Sequence, residues 1–397
     1  MTELKRVVTL PQIVFYGLGN ILGAGIYVLV GKVALFSGNY AIISFLIAAL
    51  TACLTAFTYA ELVSRYPQSA GAAIYVYHGF GKRWLSVLVG LLIVLTALVS
   101  SATIIRGFIG YLSIFFIFPD WLVILLVLSA LGTIAIWGIN ASVKTAIVLT
   151  LVEIFGLLLI LVLGRQYFLE LPDKITTFIS PNTSDDMNGI MLGALLAFYA
   201  FIGFEDMVNI AEEVKDVERN MPLAIIISMA IATLIYVGIS TLALLVSSPS
   251  QLAATDAPLA EIYATITGKE PYLITIISLF AVLNGALVQI IMASRVLYGM
   301  SSEQWMPRWF GVLNQKKRTP VNATITVVGL IIMFTWLFPL VSLARATSFL
   351  LLIIFILVNL SLLIIKIRDE NKFSGFCIPI YIPVFGLISC LVLILSG

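Results

Sequence analysis

Three charged side chains interrupt otherwise apolar stretches of this chain: Arg106, Glu153 and Glu205. A charge at membrane depth costs from about 2.5 kcal/mol upward, so it is kept where it has a task or a partner. A buried carboxylate can bind and release a proton as its surroundings change, which suits Glu153 and Glu205 to proton coupling or gating. Glu153 follows Lys144 by nine residues, roughly 13 Å along a helix and hence near the middle of a bilayer. Arg106 stands thirteen residues before Pro119 and reaches a similar depth along a tilted helix. Two readings stay open: Glu153 titrates, or Arg106 and Glu153 form a static ion pair.

Glycine breaks two apolar runs in matching places. The first extends from about Pro11 to Phe36 and is interrupted over Gly17-Leu18-Gly19-Asn20-Ile21-Leu22-Gly23-Ala24-Gly25-Ile26. The second begins near Gly189 and is interrupted over Ala200-Phe201-Ile202-Gly203-Phe204-Glu205. Unwound backbone in hydrocarbon loses its hydrogen bonds, so it survives only inside protein or around a cavity. Such breaks in corresponding positions of two halves mark a transporter binding site. A half-helix starting after Gly25 points its amides and positive end at a carboxylate. The half-helix before Phe201 offers C-terminal carbonyls to an ammonium. An α-amino acid carries both groups on one carbon. The predicted site therefore comprises Ile21, Gly23, Ala24, Gly25 and Ile26 with Tyr199, Ala200, Phe201, Ile202 and Phe204. The aromatic members either cover the substrate or only pack. Glu205 opens the half-helix after the second break, where the positive end holds a carboxylate; capping stays open beside proton coupling.

Helices that cross a bilayer must position these groups. Hydrophobic residues make up 61% of the 397 and charged residues 11%, far from the balance of a soluble domain. Apolar stretches of crossing length fall at about 11–36, 40–63, 85–117, 121–139, 144–164, 189–211, 223–247, 271–300, 322–338, 341–366 and 376–395. They predict one all-α polytopic domain over 1–397, with repeat one at about 11–164, repeat two at about 189–366 and an extra span at about 376–395. With the N-terminus inside, the outer loops hold only Lys32, Arg165, Lys174, Lys269 and Arg345, while most other Lys and Arg lie inside. That bias predicts a cytoplasmic N-terminus in the cell membrane. The polar stretch Ser250 to Gly268 is too short to span and is expected outside, as a lid.

Other classes fare poorly. The net charge of +2 is scattered over loops rather than gathered for nucleic acid. A single histidine, His78, and the lack of HExxH or GxSxG patterns argue against a membrane enzyme. Cys53, Cys377 and Cys390 show no paired spacing, so neither a metal site nor a cofactor is expected.

The residues around the breaks resemble a family. Gly19-Asn20-Ile21-Leu22-Gly23-Ala24-Gly25-Ile26-Tyr27 and Phe198-Tyr199-Ala200-Phe201-Ile202-Gly203-Phe204-Glu205 are similar to the first- and sixth-span motifs of the amino acid-polyamine-organocation (APC) permeases. Glu212-Glu213-Val214-Lys215, Ser294 to Met300, Arg318 to Ala323 and Thr347-Ser348-Phe349 with Val358 to Ser361 resemble further blocks of that family, in order. The resemblance implies the leucine-transporter-type fold, two inverted five-helix repeats with substrate between spans one, three, six and eight. It also implies an amino acid substrate. Many members carry a fifth-span lysine in place of a sodium ion; Glu153 stands at the corresponding place here. Arg106 resembles the cationic-amino-acid-transporter branch, yet it would repel a cation, and Ala24 and Ala200 leave room for an apolar side chain. Together these predict a secondary active, proton-coupled symporter favouring neutral amino acids. An exchanger shares every one of these motifs, and a non-transporting sensor is a further alternative.

Overall fold

The structure is a computed structural model that describes the chain except residues 1–5, 7, 69–70, 138–141, 303, 305, 315–318, 370–372 and 397; the side chains at 24, 137, 142–147, 302 and 369 are also outside it. The described residues include sixteen α-helices: α1 (Leu10–Leu22), α2 (Ala24–Ser37), α3 (Ala41–Arg65), α4 (Gly71–Phe80), α5 (Arg83–Leu112), α6 (Asp120–Trp137), α7 (Ser142–Leu163), α8 (Leu171–Ile179), α9 (Ser184–Phe198), α10 (Val217–Val246), α11 (Pro249–Ala254), α12 (Pro258–Thr267), α13 (Tyr272–Ser302), α14 (Val321–Leu337), α15 (Leu340–Asp369) and α16 (Tyr381–Ser396). Each predicted apolar stretch falls on one of these helices, or on a broken pair for the first and sixth. By length and composition, six segments can cross a membrane: Leu10–Arg65, Arg83–Leu112, Ser184–Glu213, Val217–Val246, Tyr272–Ser301 and Leu340–Arg368. A seventh is a pair bent by 55° after Leu163, and three shorter apolar helices cover Asp120–Ile136, Val321–Leu337 and Tyr381–Ser396.

The first break is narrower than the sequence suggests and the second is wider. Helix α1 begins behind a Thr9–Gln12 capping box with Pro11 in its first turn, where a missing amide hydrogen costs nothing. It stays helical through Leu22, stops at Gly23 and resumes at Ala24. In the sixth span, α9 gives way to a 3-10 turn over Tyr199–Phe201, extended Ile202 and Gly203 at φ 124°. That φ is open to glycine and strained for other residues. The chain then continues as a 3-10 helix, Phe204–Glu213, kinked at Ile210.

The two long helices behind the breaks run antiparallel. Gly90 of α5 lies against Met300 of α13, and Gly285 of α13 against Ile104 of α5. The first residues of α5 and α13 are therefore at opposite ends of the bundle. At the α5 start, Glu61 is fully buried and accepts from Arg65 at 2.7 Å, Lys366 at 2.8 Å and the Ile378 amide at 2.8 Å. This network ties α3 and α15 to the segment leading into α16. At the other end, α11 and α12 lie on α2: Lys32 pairs with Asp256 at 2.9 Å and donates to the carbonyls of Ala253 and Thr255. Leu252, Leu259 and Ile262 are buried beneath them.

Antiparallel α5 and α13 make the orientation testable. In protein with Cys377 replaced by serine, Lys269→Cys should react with an impermeant thiol reagent outside intact cells, and Lys82→Cys only after permeabilisation. The reverse pattern would invert the predicted orientation; labelling of both from outside would break the span count.

Candidate binding site at the two broken helices

The breaks are packed against each other. A methyl at Gly25 would lie 2.3 Å from the Ala200 Cα, and one at Gly203 would lie 2.5 Å from the Asn20 carbonyl oxygen. Residue 20 meets 203 and residue 25 meets 200, so the broken spans cross antiparallel. Each exposes a helix start and a helix end at the same level.

A cavity of about 30 Å³ opens beside this contact. Asn20, Ile21, Gly23 and Gly25 line it from the first span, and Tyr199 and Ile202 from the sixth. Ser100 and Ile104 of α5 and Gly285, Val288 and Gln289 of α13 complete the wall. Spans one, three, six and eight thus surround it. A buried water needs roughly 10–15 Å³ by this measure, so about two waters fit; an amino acid requires the spans to part. Tyr199 is fixed across the cavity, its hydroxyl 3.0 Å from the Ser100 hydroxyl.

Of the residues expected from sequence, Ile21, Gly23, Gly25, Tyr199 and Ile202 face the cavity. Ile26, Ala200, Phe201 and Phe204 are buried but do not line it. Phe201 packs edge-on against Tyr236 at 5.0 Å, and Phe204 against Tyr59 and Phe355 at 5.6 and 5.3 Å. These rings hold the sixth span in place. The Ala24 side chain lies outside the described residues. Sequence reading missed Asn20, Ser100, Ile104, Gly285, Val288 and Gln289; a resemblance naming spans three and eight was the available signal, with no local break to single out residues.

A second cavity, also about 30 Å³, shares Ser100, Ile202 and Gln289 with the first. Tyr59, Thr96, Asn209 and Met292 line it together with two carboxylates, Glu205 and Asp206. Glu205 turns back to accept from the Gly203 amide at 2.8 Å, and Asp206 accepts from Gln289 at 3.4 Å. Asp206 was not anticipated.

Glu153 lies fully buried behind the first break. One carboxylate oxygen accepts from Asn284 of α13 at 3.5 Å; the other has no hydrogen-bond partner among the described residues. Its backbone carbonyl accepts from the Tyr27 hydroxyl at 2.7 Å. Of the two readings left open, the ion pair with Arg106 does not form: Arg106 binds Asp120 at 3.1 Å, at the start of α6. Helix α5 ends at Leu112, six residues beyond Arg106 and so only about 9 Å away. A long side chain that near the end reaches a partial exterior rather than the midplane.

A family model described as amino acid permease matches residues 8–397. The chain belongs to the amino acid permeases of the APC superfamily. This permease is a multi-pass membrane protein. It is 29% identical over 390 residues to the mitochondrial cationic amino acid transporter 3 of Arabidopsis thaliana, covering 92% of the permease and 63% of the relative. It is 28% identical over 395 residues to the vacuolar cationic amino acid transporter 2 of the same plant, covering 92% and 60%. The permease thus spans a little over three fifths of the length of these curated relatives. With the branched-chain amino acid permease BcaP of Bacillus subtilis it shares 25% identity over 424 residues, 99% of the permease and 88% of BcaP. Among solved structures, the crystal structure of MhsT in complex with L-phenylalanine superposes with a TM-score of 0.68 at 14% identity, covering 100% of both chains. The permease has that fold, the leucine-transporter-type arrangement with broken first and sixth helices.

The glycines of the first break now separate by role. Gly25→Ala drives a methyl into backbone, a clash costing about 1–3 kcal/mol, and should lower the melting temperature and abolish amino acid binding. Beside Gly23 the nearest atoms are 4.0 Å away, so Gly23→Ala should weaken binding with the smaller loss in melting temperature. A Gly25→Ala protein that melts and binds like its parent would contradict the contact between the breaks.

Proposed function

We propose that this permease moves amino acids across the cell membrane by alternating access, with proton-coupled symport. The carrying observation is the cavity where the two broken spans meet. The α2 N-terminus on one side suits a carboxylate, and the carbonyl ends of α1 and α9 suit an ammonium. The small cavity volume fits an occluded shape that must open to either side for substrate to pass. The family and the amino acid transporters among its relatives support the same reading. The cell membrane with a cytoplasmic N-terminus is the location we infer from the loop charges, although relatives named for the vacuole and mitochondrion exist.

Glu153 is the residue we assign to the coupling proton. It is buried beside the broken span, it has a single long side-chain hydrogen bond among the described residues, and Arg106 is not its partner. Glu205 caps the second break and is the candidate gate, with Arg106 placed toward the outer end beside Asp120.

Apolar Ile21, Ile104, Ile202 and Val288 around the cavity favour a neutral side chain. A second reading, a cationic substrate, is favoured by the adjoining cavity, where Glu205 and Asp206 would meet an ammonium or guanidinium. Relatives named cationic amino acid transporters agree with it, and BcaP agrees with the first. A thermal-shift screen of purified protein against the twenty amino acids decides: stabilisation by leucine or valine favours the first, by arginine or lysine the second.

Glu153→Gln separates symport from exchange. The variant should fold, bind substrate and exchange it across liposome membranes, and lose accumulation driven by a pH gradient. Its melting temperature should stay near that of the parent, because no buried arginine loses a partner. Undiminished pH-driven accumulation would remove Glu153 from the coupling role, and wild-type uptake that needs internal amino acid but no gradient would make the protein an exchanger. Binding without any flux would make it a sensor.

A further inference from the structure

Tyr236 of α10 reaches both breaks with one atom. Its hydroxyl lies 2.6 Å from the Ile21 carbonyl oxygen and 2.8 Å from that of Ala200. These carbonyls belong to the last turns of α1 and of the sixth-span half-helix, where carbonyls have no partner within their own helix. The hydroxyl is fully buried, so water does not serve either oxygen from that side. Its ring is clamped independently of the hydroxyl: Phe201 packs edge-on at 5.0 Å and Phe45 at 6.2 Å. A phenol carries one hydrogen. Two carbonyl ends from different spans therefore share one donor, and their separation is set by it. Ile21 lines the cavity on its other side.

We propose that Tyr236 is a positioning residue of the substrate site, holding the carbonyl ends of both broken spans at the spacing an ammonium needs. This rests on the amino acid reading of that site. The tyrosine itself does not line the cavity, so it acts through the backbone of Ile21 and Ala200 and not on the substrate.

The test uses full-length protein and whichever of the twenty amino acids most raises the wild-type melting temperature. Tyr236→Phe keeps the ring contacts and removes the hydrogen. The dissociation constant should rise about tenfold, the size expected for one lost hydrogen bond. Replacing Tyr236 with 4-aminophenylalanine supplies two N–H donors at the same place and should restore the constant to within about threefold of wild type. A purely packing role predicts wild-type affinity for the phenylalanine variant, and that result overturns the proposal. So does a folded 4-aminophenylalanine variant that binds as weakly as the phenylalanine one. If Tyr236→Phe does not fold, the 4-aminophenylalanine variant decides alone: affinity near wild type supports the proposal and a tenfold loss overturns it. Wild-type protein stabilised by none of the twenty would instead overturn the amino acid reading, and this proposal with it.

Discussion

Every feature of the site follows from one constraint: backbone that leaves a helix inside a membrane must find its hydrogen bonds within the protein. Two helices are broken here, and each break serves the other. Gly25 lies on Ala200, Gly203 lies on the carbonyl of Asn20, and Tyr236 closes the loose carbonyls of both. The Asn20 side-chain amide, whose nitrogen has no hydrogen-bond partner among the described residues, belongs to the wall of the small cavity beside the contact. The amino acid site we propose rests on this pair of helix breaks and the cavity beside it.

The rest of the bundle reads as support for that contact. Aromatic rings wedge the sixth span: Phe201 against Tyr236, and Phe204 into the corner formed by Tyr59 and Phe355. A chain of tyrosines backs the first span, since the Tyr111 hydroxyl donates to the Tyr27 carbonyl and the Tyr27 hydroxyl to that of Glu153. On the flanks, Val8 exchanges backbone hydrogen bonds with Glu213 and Lys215. That bridge joins the start of the first span to the end of the sixth, so the two broken spans are tied at their ends as well as at their centres. A motion that opens the cavity can then carry them as one body.

Much of this was legible because helix breaking is local. Glycines in an apolar run announce an interruption without any knowledge of neighbours, and the apolar stretches located the helices to within a few residues. The width of the breaks was not legible. Asn20 to Leu22 remain helical because α1 keeps its packing up to Gly23, and no residue pattern marks that limit. Arg106 was misplaced for a related reason: its depth depends on where α5 ends, and Leu112 carries no stop signal. Ser100 and Gln289 sit in unbroken helices, so only the crossing of α5 with α13 makes them site residues. Asp206 was overlooked beside Glu205, since adjacent residues on a helix point apart; here Glu205 turns back onto the Gly203 amide, Asp206 meets Gln289, and both line one cavity.

Two buried carboxylates show how the same residue type is fitted to different ends. Glu61 accepts from Arg65, Lys366 and the Ile378 amide, so its charge is matched on all sides. Removing any donor would leave a buried charge short of partners, and such a network holds elements in one arrangement. Glu153 has one contact at 3.5 Å, and its second oxygen is unclaimed among the described residues. A carboxylate held so lightly loses little by changing its protonation or its partner. It also lies on α7, outside the two broken spans, with Tyr27 joined to its backbone. Displacement of the first span relative to α7 would alter its surroundings directly. That asymmetry, full pairing at Glu61 and sparse pairing at Glu153, is the physical ground for treating one as a fastening and the other as the candidate coupling group.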